Sequence, residues 1–259
     1  MPGALVERVR AAAISVMSVT DHDTVAALGD VRRAADPLGI TLVDGIEVTA
    51  VHEGRDVHVL GYFLDPGDAS FGVFLHEQRL RRIERIREIG ARLGRLGVPV
   101  DVDGLIARVA QNPGASVGRP LVARALVKAG HVATLREAFD RFLASGQPAF
   151  VPRTGKAPAD VVELIHSAGG LASMAHPGVT RQPAVMAALV GAGLDAIELY
   201  HPDHTPEMTR DLRQFAVEHG LLVTGGSDFH GDDSRGRPLG RSTLPTVEFE
   251  RLTAARRRI

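Results

Sequence analysis

The sequence predicts an α/β fold built from parallel strands with helical crossovers. Three features carry that expectation. Short Val- and Ile-rich runs alternate with helical patterns near both ends of the chain. The runs are nearly continuous in apolarity, as in strands covered on both faces. The stretch between the two groups reads as helix after helix, without a strand.

Taken in order, a helical pattern, LVERVRAAA, precedes the strand run ISVMSV. A helix, TVAALGDVRRAAD, follows, and then the strand runs ITLVDGIEVTAV and RDVHVLGYFL. From about Ser70 to Pro152 come four helical patterns: FLHEQRLRRIERIREIGARLGRLG, DVDGLIARVA, RPLVARALVKAG and TLREAFDRFLASG. The strand rhythm then resumes as GGLASMAHP, LDAIELYH and LLVTGGSDFH. Its intervening helices are PADVVELIHSA, AVMAALVGAG and MTRDLRQFAVEHG, several closed by glycine, which takes up the left-handed backbone at a helix end. Six core strands result. The expected organisation is a barrel in two parts, residues 1-69 and 153-259, separated by a helical insertion at 70-152.

Composition bounds the chemistry. A chain of 259 residues, 44% hydrophobic and 24% charged, is long enough to bury a core. The net charge of -1 gives no general pull toward nucleic acid or anionic membrane, so an anionic ligand has to be held by local charges. No cysteine is present, which excludes disulfides, thiolate ligands and a cysteine nucleophile, and leaves His, Asp and Glu to bind metal. With no apolar run long enough to span a bilayer, the expectation is a cytoplasmic protein without membrane or stable protein partners.

Polar residues gather at the strand ends. His22 follows the first strand, Glu47 and His58 lie in the next two, His176 and His201 end two later ones, and Asp228 with His230 ends the last. At the carboxyl ends of barrel strands such residues converge from distant parts of the sequence. Nitrogen and oxygen ligands without sulfur suit divalent Mn, Zn or Fe. A lone histidine at a strand end is ordinarily structural, but charges such as Glu47 and Asp228 inside apolar runs need a compensating partner. His52, His76, His131, His166 and His219 fall outside this pattern and are read as structural.

TDHD after a strand, then GIEVTA, VHVLGY, AHP and GGSDFH, in that order, resemble the PHP (polymerase and histidinol phosphatase) superfamily of metal-dependent phosphoesterases. The resemblance is nearest to the branch with a helical insertion that acts on nucleotides, and it covers nearly the whole chain. It implies a distorted seven-stranded (β/α) barrel and up to three divalent ions, Mn foremost. It further implies Glu47 as a bridging ligand, His58 and His176 on the second ion, Asp228 on the first, and His22 with His230 on the third. The implied activity is hydrolysis, by metal-bound hydroxide, of phosphate from a nucleoside 3′,5′-bisphosphate or of nucleotides from the 5′ end of short RNA. Asp21 and Asp23 are then expected to orient His22 or nearby backbone. Arg119 in VGRP and Arg153 in FVPR are candidate clamps on a second phosphate. His201, with His204 nearby, is the candidate proton donor, so that Glu47, Asp228 and His201 form the catalytic set.

The family pattern opens with a strand bearing Asp-Leu-His-x-His and then Ser-Asp-Gly, and no His-x-His occurs in this chain. The first strand and three ligands of the pattern are therefore missing, either through a start site set too far downstream or through degeneration with weakened activity. The intact remaining ligands favour the former. Leu121 after GRP is a second departure from the pattern. Two alternatives carry over: an impaired PHP-fold protein that binds nucleotide phosphate, and, more distantly, a serine esterase. The esterase reading rests on GASVG, Gly114 to Gly118, whose preceding ARVAQNP is helix-like where a nucleophile elbow needs a strand. The basic segment RLRRIERIREIGARLGR reads as a solvated helix with one buried stripe, and the terminal ARRRI as a frayed tail.

Overall fold

The structure, a computed structural model, describes residues 2–111, 116–231 and 237–256. Gly114 and Ala115 of GASVG and Arg257 to Ile259 of the terminal ARRRI lie outside the described residues. Six strands form one curled sheet in sequential order: β1 (Val16–Val19), β2 (Thr41–His52), β3 (Arg55–Tyr62), β4 (Leu171–Met174), β5 (Ala196–Tyr200) and β6 (Leu222–Gly225). Helices α1 (Pro2–Ala11) and α2 (Leu28–Ala35) flank β1. The middle of the chain supplies α3 (Ala69–Arg95), α4 (Val102–Ala110), α5 (Arg119–Lys128), α6 (Leu135–Ala138) and a π-turn at Phe139–Leu143. Helices α7 (Pro158–Ser167), α8 (Pro177–Thr180), α9 (Pro183–Gly191), α10 (Pro206–Glu218) and α11 (Thr246–Ala255) complete the second half. No helix among the described residues is long and apolar enough to cross a membrane.

All-parallel pairing is the expectation that the sheet corrects. Strand β1 pairs parallel with β2, and β4, β5 and β6 are mutually parallel, but β2–β3 and β3–β4 are antiparallel. The cause is local. Only Glu53 and Gly54 separate β2 from β3, both at positive φ (48° and 74°), the backbone of a tight two-residue hairpin turn. A parallel connection would need a crossover of a dozen or more residues.

Side chains alternate across the sheet, so residues two apart share a face. Ile46, Val48 and Ala50 of β2, Val57 and Val59 of β3, Ala172 and Met174 of β4, Ile197 and Leu199 of β5, and Val223 of β6 belong to one buried cluster with α7, α9 and α10. The residues between them, Glu47, Thr49, His58, Ser173, Glu198 and Thr224, therefore line the opposite, concave face. Its lower part is closed by Leu171, Ala196 and Leu252 of α11, and its upper part is polar.

A second buried cluster joins α3, α5 and the turn region around Ile86, Ile89, Leu93, Val122, Leu126 and Leu143. Helix α3 serves both clusters: Phe71, Phe74 and Leu75 of its first turns pack on the sheet, and its later residues on the other helices. Asp68 caps it by accepting the Phe71 N–H at 2.7 Å.

Candidate metal centre

Backbone pairing places the first of the site residues. After β1 ends, Asp23 N–H donates to Glu47 O at 2.9 Å and Glu47 N–H to Asp21 O at 3.1 Å, so His22 lies beside Glu47 as a one-residue extension of the parallel β1–β2 ladder. Gly45 permits this approach, since a Cβ there would lie 2.1 Å from Ser18 Oγ. His58 enters from β3, opposite Thr49. His176 follows β4 and is fixed at its side by the Ala175 N–H donated to His58 O at 3.0 Å.

Glu47 is the centre of the group. Its Oε1 lies 2.8 Å from His58 Nδ1 and 3.4 Å from His176 Nε2, and its Oε2 lies 3.5 Å from His22 Nδ1. His58 Nδ1 and His176 Nε2 are 3.2 Å apart. Ligand atoms of His22, Glu47 and His58 fall within 4.8 Å of one another, close enough to share one cation. Burial raises the Glu47 carboxyl, but hydrogen bonds from His176 and His58 outweigh it and hold the group well below the usual carboxylate range. Burial also lowers His22 to about 4, against the attraction of Glu47, so its ring is neutral at neutral pH. Burial acts on His176 in the same direction, yet its bond to Glu47 prevails and raises it.

These donors fit a divalent cation. His22 Nδ1 is buried without a hydrogen-bond partner among the described residues, 3.5 Å from a Glu47 oxygen, and a cation between the two would satisfy both. The set is hard oxygen and borderline nitrogen, suited to Mn, Zn or Fe.

Asp228 and His230 form a second group next to the first. Asp228 Oδ2 is 3.5 Å from His201 Nε2, its Oδ1 is 3.6 Å from His230 Nδ1, and it pairs with Arg237, which also pairs with Asp203. The two groups meet where the His176 and His201 rings lie 5.8 Å apart. His201 is nearly fully buried; its Nδ1 accepts the Asp203 N–H at 3.2 Å, so in the neutral ring the proton sits on Nε2, facing Asp228. His204 spends both nitrogens on backbone, at Leu199 O and the Gly178 N–H, and is a loop-holding residue. Asp23, His176 and Asp228 all have positive φ (54°, 33° and 46°), strain of the kind that gathers at functional sites.

The remaining expected residues take different places. Asp23 is buried and accepts the Thr49 N–H at 2.7 Å and Arg82 Nε–H at 2.7 Å, so it fixes backbone next to the site. Asp21 lies in the field of His230, and burial raises its carboxyl to about 6. Arg153 and Arg119 converge on Asp56, at 3.0 Å and 4.0 Å. Beside them Arg82, Arg85 and Arg153 line a cavity of about 250 Å³, with Glu84 and Glu88 on its wall. Burial lowers Arg85 and Arg153 to about 10, reinforced by the neighbouring guanidiniums.

Sequence reasoning missed Arg82, Arg85, Glu198 and Arg237. The first two were hidden in a helix read as solvated, although Gln78, Arg82 and Arg85 fall at helical spacing on one face, and Gln78 and Arg85 are buried. Glu198 carried the same signal as Glu47, a charge inside an apolar strand run. Arg237 had no local signal.

Sheet and site together are those of a metal-dependent phosphoesterase, and comparison with known proteins agrees. A 3′,5′-nucleoside bisphosphate phosphatase of Chromobacterium violaceum is 32% identical over 255 residues, covering 95% of this chain and 88% of that protein. A 5′-3′ exoribonuclease of Haemophilus influenzae is 33% identical over 234 residues, 88% of this chain and 84% of the relative. A solved structure from Bifidobacterium adolescentis, described as a metal-dependent phosphoesterase, superposes with a TM-score of 0.87 at 30% identity, covering 98% of this chain and 90% of that one. No protein-family model matches the chain. By these relationships the chain belongs to the PHP superfamily of metal-dependent phosphoesterases.

Proposed function

We propose that this protein hydrolyses phosphate esters of nucleotides, acting on nucleoside 3′,5′-bisphosphates or on the 5′ end of short RNA, with manganese as the working metal. The observation that carries the reading is the Glu47 carboxylate, whose two oxygens face different histidines, His58 and His176 on one side and His22 on the other. That arrangement supports Glu47 as a bridging ligand. His22, His58 and His176 would complete its coordination, and Asp228 with His230 would hold a neighbouring ion. When bound, divalent cations supply Lewis-acid polarisation of the phosphoryl group and acidification of water.

The chain's own residues do the rest. Hydrolysis adds a water oxygen to phosphorus and releases the ester oxygen, which requires a proton. His201, expected as the donor, has a neutral ring whose Nδ1 accepts the Asp203 N–H, so its Nε2–H, next to Asp228, would act by hydrogen-bonding the departing oxygen while water supplies the proton. Arg119 and Arg153, joined by Arg82 and Arg85, supply planar donors for a second phosphate or the RNA backbone. Arg82 pairs with Asp23, Arg119 and Arg153 pair with Asp56, and Arg85 donates to Val151 O, so an incoming phosphate would compete with these partners for the guanidiniums.

The reading is tested by phosphate release from a nucleoside 3′,5′-bisphosphate and mononucleotide release from a 5′-phosphorylated oligoribonucleotide, each with and without manganese. Manganese-dependent turnover of one or both is expected. Arg153→Ala should raise KM for the bisphosphate roughly 10-fold or more, the loss of one charged hydrogen-bonding partner, and leave KM for a nucleoside monophosphate nearly unchanged. Binding of the bisphosphate without turnover would favour the impaired, phosphate-binding reading. Activity abolished by Ser116→Ala would revive the esterase.

A further inference from the structure

Glu198, on β5, is a buried carboxylate that the reaction above does not use; it is 5% exposed. Burial pushes its carboxyl upward. A lone carboxylate in such surroundings is costly unless hydrogen-bonded. Its Oε2 accepts the backbone N–H of His176 at 2.8 Å. That amide belongs to a residue in the left-handed region, φ 33° and ψ 51°, which a non-glycine residue adopts only when its surroundings impose it. The same conformation carries the His176 ring back over the sheet to Glu47 Oε1.

Glu198 is itself held on rigid elements. It is paired in register with Thr224 of β6, and Ser173 of β4 lies on the other side of the strand. Ser173 Oγ and Thr224 Oγ1 bond to each other at 2.9 Å across the concave face. At 2.8 Å the His176 N–H···Oε2 bond has the length of a well-formed N–H···O hydrogen bond. It is therefore suited to holding a strained backbone turn.

We infer that Glu198 is a positioning residue for the metal centre: by capturing the His176 N–H it fixes the turn that presents the His176 imidazole to Glu47. The inference rests on the proposed role of His176 as a ligand, but the geometry of the turn can be checked without any metal.

Three variants separate the hydrogen bond from the charge. Glu198→Gln keeps an acceptor oxygen at the same reach, Glu198→Asp keeps the charge but withdraws it by one methylene, and Glu198→Ala removes both. Manganese affinity per folded protein, by titration calorimetry, is expected to fall roughly 10-fold or more in Asp and Ala, the size of effect seen when a partner that orients a ligand is lost. The Gln variant should stay within about threefold of wild type on the same scale. Crystal structures are expected to show His176 leaving the left-handed region and the 3.4 Å approach to Glu47 lost in Asp and Ala, and both retained in Gln. If Ala does not fold, the Gln and Asp variants still decide. An Asp variant with wild-type affinity and an unmoved His176, or a Gln variant as weak as Ala, would overturn the inference. Wild-type protein that binds no manganese would overturn the metal reading instead, while the structures would still report on the turn.

Discussion

At the scale of single residues, Glu47 and Asp228 bear most of the proposed chemistry. Each sits where an unpartnered carboxylate would be costly, and each faces histidines. Glu47→Ala and Asp228→Ala are each expected to lower kcat/KM about a thousandfold, equivalent to about 4 kcal/mol of barrier, with the circular dichroism spectrum unchanged. Near wild-type turnover would remove the residue concerned from the catalytic set. Asp21 offers a test through pH. Burial raises its carboxyl from 3.8 to about 6, so the folded state binds a proton that the unfolded chain has already released between those values. Stability therefore falls as pH rises through that window, and the ionised group costs up to about 3 kcal/mol above it. In the presence of a chelator, Asp21→Asn should raise Tm at pH 8 and change it little at pH 4. Equal shifts at both pH values would show that Asp21 carries no such cost.

Elements were legible to the extent that local pattern fixes them. The six strand runs and the helices between them stand in the structure in the expected order, because Val/Ile runs and helical periodicity are local signals. Pairing direction was obscured because Leu60, Leu171, Ala196 and Leu222 occupy concave-face positions, so the strands looked apolar on both sides when β2 and β3 form a hairpin. The Glu53-Gly54 dipeptide between the runs was the signal that discriminates the two cases. Helix α3 shows the same limit: its charge run hid an inward face on which Arg82 donates to buried Asp23 and to Thr49 Oγ1 at 2.9 Å. Arg82→Ala leaves Asp23 buried and uncompensated, and is expected to cost about 3–5 kcal/mol in denaturant unfolding. A loss under 1 kcal/mol would mean that solvent reaches Asp23 readily.

For the whole molecule, two buried clusters meet along α3, one under the sheet and one among the middle helices. We propose that residues 70-152 act as an insertion whose arginines reach over the site, while the barrel parts 1-69 and 153-259 carry the ligands. The convergence of His22, Glu47, His58 and His176 was legible because charges inside strand runs must find partners. The positions of Arg237 and of the Glu198–His176 contact depend on loop paths that no short-range pattern encodes.

The most direct single measurement is the rate of phosphate release from adenosine 3′,5′-bisphosphate by wild-type protein as purified, after removal of metal with a chelator, and after manganese is restored. The account predicts activity that disappears on chelation and returns with manganese in wild-type protein. Release that persists unchanged in excess chelator, or folded, manganese-loaded protein that hydrolyses no nucleotide phosphate ester, would contradict it.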